Sequence, residues 1–263
     1  MTRIALAQTT STDDFVANLE VAEAMVEEAA GNDAAMLAFP EIFLYLGGRQ
    51  GKLAVAQSLD GDIVGRFREA AARHGMMLLL GSIHERIPDD PERVYNTSVL
   101  IGDDGELLAS YRKLKLFDVT LPEVTIKESD TIAAGDAPPP VVETPIGKLG
   151  LTICFDLRFS DLYLDLRRRG AEIVFIPSNF TAPTGAAHWE VLLRARAVEG
   201  QYFVVAPAQT GRHNPRYESY GHSMIVDPWG EVLAMAPPGP GLVYGEIDLA
   251  RLERVRAQIP MRV

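Results

Sequence analysis

The sequence predicts an α/β layered fold with mixed sheets, on three observations. Short apolar runs alternate along the chain with amphipathic stretches of helical period. Two of those runs flank Asp103-Asp104-Gly105, a hairpin signal, so the sheets are not purely parallel. About ten strands then stand against four or five helices, the balance of a layered α/β domain.

The elements follow in order. Arg3–Gln8 and Ala35–Phe39 read as buried strands. Between them Phe15, Leu19, Ala22, Val26 and Ala29 recur at alternating spacings of four and three, one face of a helix. Gly31 would end it, and Thr12 or Asp13 would cap its start. A second helix covers Asp62 to His74, with Ile63, Phe67 and Ala70 inward, and Gly75 leads into a strand over Met76–Gly81. Asn96–Gly102 and Glu106–Tyr111 are the arms of the hairpin. Leu149–Ile153, Ile173–Ile176, Phe203–Ala206, Ser223–Asp227 and Leu242–Ile247 are further strands, and Leu157–Arg169 and Ala187–Glu199 further helices. No repeat, low-complexity tract or linker divides the chain. The Pro-rich pieces Asp136–Pro140 and Ala236–Gly241 are loop-sized, so a single domain over residues 1–263 is expected.

Composition narrows the function. The 263 residues carry 25 Lys and Arg against 36 Asp and Glu, a net charge of −11. That balance argues against nucleic acid and against an anionic membrane surface, though a few pocket arginines can still hold an anionic small molecule. The apolar run Tyr202–Ala208 falls far short of the ~18 residues that span a bilayer. The amino terminus turns polar within eight residues and has no signal-peptide core, so a cytoplasmic location is expected. The chain has one cysteine, Cys154, which excludes an internal disulfide and a four-cysteine metal site. G-x-G-x-x-G, G-x-x-x-x-G-K-[ST], H-E-x-x-H and C-x-x-C are all absent. Asn96 and Asn179 open N-x-[ST] sequons, read as chance in such a chain.

What remains is three ionisable groups, each at the end of an apolar run. Cys154 follows Gly150-Leu-Thr-Ile where a strand turns into a helix-like stretch; backbone N–H groups and a helix start there favour a thiolate and an oxyanion. Taken alone it is as well explained as an inert buried thiol. Glu41 follows Met36-Leu-Ala-Phe-Pro, where partial desolvation suits general-base work, although a solvated loop carboxylate explains it too. Lys113, within Tyr111-Arg-Lys-Leu-Lys-Leu-Phe-Asp118, has the same placement, against the ordinary reading of a solvated lysine face.

Phe39-Pro-Glu41, Tyr111-Arg-Lys113 and Gly150-Leu-Thr-Ile-Cys154-Phe-Asp-Leu-Arg-Phe159 together resemble the three motifs of the nitrilase, or carbon–nitrogen hydrolase, superfamily. Their order and their spacing, 72 and then 41 residues, are similar to that family's as well. The stretches Pro177–Ala197, Ala206–His213 and Ser219–Gly230 resemble its deaminated-glutathione amidase and ω-amidase branch. The resemblance implies a four-layer α-β-β-α sandwich of two mixed β-sheets, and a homodimer or larger homo-oligomer. It implies Glu41, Lys113 and Cys154 as a catalytic triad, with no metal and no organic cofactor. It also implies a second site glutamate after the lysine motif, which Lys127-Glu-Ser129 places at Glu128, with Glu123 competing. The expected substrate is a small amide bearing carboxylates, with the Phe155 N–H in the oxyanion site and Arg158, Asn179, Phe180 and Thr181 lining the pocket. Arg194, Arg196 and Arg212 are further candidates for a substrate carboxylate. The branch commonly has His two residues after the lysine, where this chain has Lys115. A Cys–His site would need His188 or His222 beside Cys154.

Overall fold

Two mixed β-sheets lie face to face with helices on their outer sides, in the order α-β-β-α. This computed structural model describes residues 1–121 and 124–261. The first half of the chain runs β1 (Thr2–Gln8), α1 (Phe15–Gly31), β2 (Met36–Ala38), α2 (Arg49–Val55), α3 (Asp62–His74) and β3 (Met77–Arg86). Then come β4 (Val94–Ile101), β5 (Leu107–Arg112), β6 (Asp118–Leu121), β7 (Val124–Lys127) and β8 (Ile132–Ala133). The second half runs β9 (Val141–Thr144), β10 (Gly147–Leu151), α4 (Ser160–Arg168), β11 (Ile173–Phe175), α5 (Ala182–Gly200) and β12 (Phe203–Ala206). It closes with β13 (Thr210–Asn214), β14 (Tyr217–Tyr220), β15 (Met224–Val226), β16 (Val232–Met235), β17 (Gly241–Ile247) and α6 (Leu249–Gln258).

One sheet has the order β17-β1-β2-β3-β4-β5 with β8 beside β4, and the other β16-β15-β12-β11-β10-β9. In each, a parallel centre is flanked by antiparallel strands. Period-two alternation sorts the side chains between layers. Ile4, Leu6, Met36, Ala38, Met77 and Leu79 join the core between the sheets. Their neighbours Ala5, Ala7, Leu37, Leu78 and Leu80 pack instead on Ala22, Val26 and Ala29 of α1 and on Val64, Phe67 and Ala71 of α3. In β10 the Gly150 backbone faces Leu166 of α4, which turns Leu149 and Leu151 toward the first sheet.

Several elements differ from the sequence reading, each for a local reason. Asp14, not Thr12 or Asp13, caps α1 by accepting from Ala17 N at 3.0 Å, while Thr12 accepts one step earlier from Asp14 N. The stretch expected as one helix over Leu157–Arg169 is a 3-10 turn, Cys154–Arg158, followed by α4. The helix expected from Ala187 begins at Ala182, because Thr181 caps it and Pro183 fits its first turn. Strand β3 continues past Gly81 to Arg86, with a register shift between Leu80 and Ile83. The polar hairpin β13–β14 and the short helix α2 lack the apolar periodicity that would have marked them.

Candidate active site

Three strands deliver the ionisable groups, each just past its carboxyl end: Glu41 after β2, Lys113 after β5 and Cys154 after β10. Open α/β sheets place ligand sites beyond strand ends of this kind. The structure brings all three together.

Lys113 is 2% exposed and donates to Glu41 Oε1 at 2.7 Å and to Glu128 Oε2 and Oε1 at 2.9 and 3.1 Å. Burial alone would push this ammonium down, but the charges of Glu128 and Glu41 outweigh it and hold the pKa well above the usual lysine value. Lys113 is therefore a permanent cation here. Glu128 is half-buried, and the desolvation this brings raises a carboxyl, but Lys113, the Phe117 N–H at 2.7 Å and Asn96 lower it by more, and the net pKa lies below the ordinary value. The rival residue, Glu123, lies outside the described residues. Asn96 spans the pair, its Nδ2 donating to Glu41 Oε1 at 2.9 Å and Glu128 Oε1 at 3.2 Å.

The turn carrying Glu41 is held from beneath. Gly81 sits where a Cβ would come within 1.8 Å of the Phe39 carbonyl, so only glycine allows β3 to approach that closely. The adjacent Ser82 Oγ accepts from Ile42 N at 2.8 Å, and Gln209 Nε2 donates to the Glu41 carbonyl at 3.0 Å. Ile42 is forced to φ 48°, a region a β-branched residue enters only when its surroundings demand it.

Cys154 adopts φ 45° at its own strand-to-3-10 turn, with its N–H bonded to the Pro177 carbonyl at 2.9 Å. Its thiol lies close enough to Glu41 and to the backbone N–H of Asn179 for both to act on its ionisation. Burial foremost, then Glu41, push the thiol pKa well above its ordinary value, against the pull of Lys113. At rest Cys154 is a neutral thiol beside a carboxylate. Asp156 secures the turn by accepting from Ile153 N at 2.9 Å, Lys115 N at 3.0 Å and the Tyr111 hydroxyl at 2.8 Å.

The remaining expected residues separate into groups. Arg158 points its guanidinium over the Phe180 and Phe155 rings and bonds His188 Nδ1 at 3.2 Å; it is near enough to Cys154 to feel a thiolate there. Asn179 Oδ1 accepts from Ser219 Oγ, and its carbonyl accepts from the Tyr217 hydroxyl. Phe180 is buried against Trp189. Thr181 uses its hydroxyl to cap α5, accepting from Thr184 N. Arg196 bonds the Leu157 carbonyl and Glu199, Arg194 pairs with Glu190, and Arg212 pairs with Glu218, so these three are engaged elsewhere. His188 pairs with Arg158, and the His222 ring bonds the Tyr220 carbonyl; neither takes up Cys154. Lys115 lies over the Phe159 ring at 4.8 Å.

Sequence reasoning missed Asn96, Gln209, Asp156 and Tyr217, the last buried within the fields of Cys154, Glu41 and Lys113. Asn96 had been visible only as the start of a sequon, yet it is 2% exposed and hydrogen-bonded to two carboxylates, which leaves no room for a glycan. The signal that would have found it is the buried polar run Asn96-Thr97-Ser98 inside an apolar strand. Among the described residues no cluster of His, Cys, Asp and Glu is grouped to hold a metal ion, and no helix is long and apolar enough to cross a membrane.

Comparison with known proteins decides the family. The model of the carbon–nitrogen hydrolase family matches residues 3–257. The chain belongs to the carbon–nitrogen hydrolase family. This carbon–nitrogen hydrolase is 44% identical over 262 residues to the deaminated glutathione amidase of Rattus norvegicus, covering 98% of the chain and 80% of the rat protein. It is 44% identical over 260 residues to the nitrilase and fragile histidine triad fusion protein NitFhit of Caenorhabditis elegans, spanning 98% of this chain but only 59% of the worm protein. The crystal structure of the worm protein superposes with a TM-score of 0.93 at 43% identity, over 98% of this chain and 63% of that one. A mutant amidase from Nesterenkonia sp. AN1, solved with acrylamide added at its active-site cysteine, has a TM-score of 0.81 at 28% identity over 98% of each chain. That amidase is of the nitrilase superfamily, and this chain has the same fold. The family and its amidase-named relatives make the chain a hydrolase of carbon–nitrogen bonds.

Proposed function

We propose that this hydrolase cleaves a small carboxylate-bearing amide, of the class of deaminated glutathione, to an acid and the amine it was bonded to, through a thioester on Cys154. The observation that carries the reading is the convergence of Cys154, Glu41 and Lys113 past three strand ends, with the buried Lys113 ammonium bonded to Glu41 and the Glu41 charge acting on the thiol. A thiol with a raised pKa needs a base at the moment of attack. As Sγ bonds to the amide carbon, its proton passes to Glu41 and the carbonyl electron pair moves onto oxygen. Lys113 and the Phe155 N–H hold that oxyanion. Lys113 is the electrostatic clamp, because an ammonium locked between two carboxylates does not give up its proton. The carbon–nitrogen bond then breaks as Glu41 returns the proton to the leaving amine nitrogen. Water, deprotonated by Glu41, attacks the thioester and frees the acid. Glu128 and Asn96 keep Lys113 and Glu41 in register through both halves.

The substrate class rests on the names of the relatives and on Arg158, which among the described residues has no carboxylate partner and stands over Phe155 and Phe180 beside the nucleophile. An ω-amidase acting on α-ketoglutaramate, or an N-carbamoyl amino acid amidohydrolase, uses the same chemistry with a shorter acid. The single-domain, cytoplasmic, homodimeric organisation belongs to the same proposal, and the exposed apolar side chains Val191, Val198 and Trp229 are the surface that favours self-association.

Hydrolysis assayed across deaminated glutathione, by its released amine, and across α-ketoglutaramate, a carbamoyl amino acid and a simple nitrile, by ammonia, tests the reading. Turnover is expected for the first, with a mass adduct on Cys154 when the thioester is trapped. Full activity in Cys154→Ala overturns the mechanism. No turnover of any of the four, with no adduct, indicates a silent scaffold instead.

A further inference from the structure

Lys52 is a half-buried cation whose charge the reaction scheme does not use. It lies in α2, and its ammonium donates to the Thr131 hydroxyl at 3.1 Å. Among the described residues no carboxylate stands within ion-pair distance of it. Thr131 directly follows the 3-10 turn that begins at Glu128, and its N–H bonds the Glu128 carbonyl at 3.1 Å. The ammonium therefore sits beside the Glu128 turn, and the charges of Glu128, Lys113 and Glu41 all reach it. Burial is the largest influence on it and lowers its pKa, so a neutralising partner is wanting.

This placement is built, not incidental. The Tyr45 ring is packed against Gly47 and Gly51, where a Cβ would come within 2.4 and 1.6 Å of its hydroxyl oxygen. That contact seats the start of α2 on Tyr45. Leu53 and Ala56 dock the helix on Val94 and Ile132. Lys52 is four residues before Ala56 and so shares its inward face. The carboxylates that would ordinarily neutralise it, Glu41 and Glu128, are already committed to Lys113. Arg158, on the Cys154 side, is in the same condition, with a histidine nitrogen and two aromatic rings for partners.

We propose that Lys52 is a substrate-binding residue that pairs with a carboxylate remote from the scissile amide, so that Lys52 and Arg158 together select dianionic amides. This rests on the amidase reading above. The free site holds an under-partnered, half-buried cation, and a substrate carboxylate completes it. An analogue lacking that carboxylate leaves it unpaired, which is the condition under which polar pockets discriminate strongly.

The test uses the full chain with Lys52→Met and Lys52→Arg. KM and kcat are measured on deaminated glutathione and on its neutral diester. In Lys52→Met, KM for the dianionic amide is expected to rise roughly tenfold or more, with a much smaller change for the diester and in kcat. Lys52→Arg should recover most of the loss. Proportional losses on both substrates, or a loss that Lys52→Arg fails to relieve and that tracks a lower melting temperature, give Lys52 a structural role and overturn the proposal. Calorimetric titration of glutarate into the Cys154→Ala protein gives a readout that needs no turnover. Roughly tenfold weaker binding on adding Lys52→Met supports the proposal, and equal binding, or none to either protein, overturns it. If the natural chain hydrolyses no amide, the amidase reading fails and the glutarate titration alone decides Lys52.

Discussion

The Tyr111 hydroxyl donates to Asp156 at 2.8 Å, joining the strand that delivers Lys113 to the turn that delivers Cys154. Both residues are buried, and Asp156 also holds the Ile153 and Lys115 N–H groups, so one carboxylate sets the spacing between clamp and nucleophile. Tyr111→Phe keeps the ring and removes the bond. Stability is expected to fall by about 1–3 kcal/mol in urea unfolding, the range for a buried group left short of a partner. The rate of amide hydrolysis should fall roughly tenfold, because small misplacements of reacting groups are expensive. An unchanged rate with lowered stability would confine the bond to a structural role.

Lys113 neutralises two carboxylates at once, buried Glu41 and half-buried Glu128. Lys113→Met should abolish turnover and cost about 3–5 kcal/mol of stability, since removing one partner of a buried pair strands the other charge. Adding Glu128→Gln relieves part of that cost, as one stranded carboxylate becomes neutral, and activity stays lost. Urea midpoints of the single and double variants check the sign of the recovery.

Asn96 presents its amide N–H groups to Glu41 and Glu128. Asn96→Asp has the same shape but sets a third carboxylate against those two with only Lys113 to balance them. At neutral pH it should be less stable and less active than Asn96→Ala, and it should regain ground as acid protonates the cluster. Hydrogen bonds to charged groups contribute about 1.5–3 kcal/mol, so the Ala variant alone should be clearly weakened. Paired unfolding curves at pH 7 and pH 5 read both effects.

His84 is buried on β3, and burial, with the Lys52 charge adding to it, pushes its pKa down from 6.5 to about 3. The unfolded chain takes up a proton near pH 6.5, whereas the folded chain does not until about pH 3. Stability from this residue is therefore present above pH 6.5 and falls as pH drops through that window. From pH 6.5 to pH 5 the loss is about 2 kcal/mol. Asp156 has the opposite sign: burial raises its carboxyl from 3.8 to about 6, so the fold gains stability as pH falls from about 6 toward 4. Because the two oppose, the difference between His84→Gln and the natural chain isolates the histidine. That difference should shift in favour of the variant by about 2 kcal/mol between pH 6.5 and 5, measured by urea unfolding; a constant difference contradicts it.

The sequence exposed the layer-forming parts of the fold because their periodicity is strong. The alternation of Phe15, Leu19, Ala22, Val26 and Ala29 became the inward face of α1, and Asp62–His74 became α3 at its expected bounds. Elements held by polar contacts were illegible. The hairpin β13–β14 has little apolar pattern, and its place is set by the His213–Ser219 bond and the approach of Ser219 to Asn179. Glu41, Lys113 and Cys154 were legible only jointly, because each alone has an ordinary explanation. Asn96, Gln209 and Asp156 carry no motif of their own. Their importance comes from which side chains meet them across sheets, over sequence separations such as the 168 residues between Gln209 and Glu41.

By itself the sequence determined the sheets, the principal helices and the family, since burial periodicity and three spaced motifs are properties of the chain read in order. Only the tertiary structure decided that Lys113 is locked between Glu41 and Glu128, that Cys154 rests as a thiol, and that Lys52 and Arg158 stand near the site without carboxylate partners. The physical reason is that charge and solvation act through space. A lysine at position 113 and one at position 52 look alike along the chain, and they differ because one meets two carboxylates and the other a single hydroxyl.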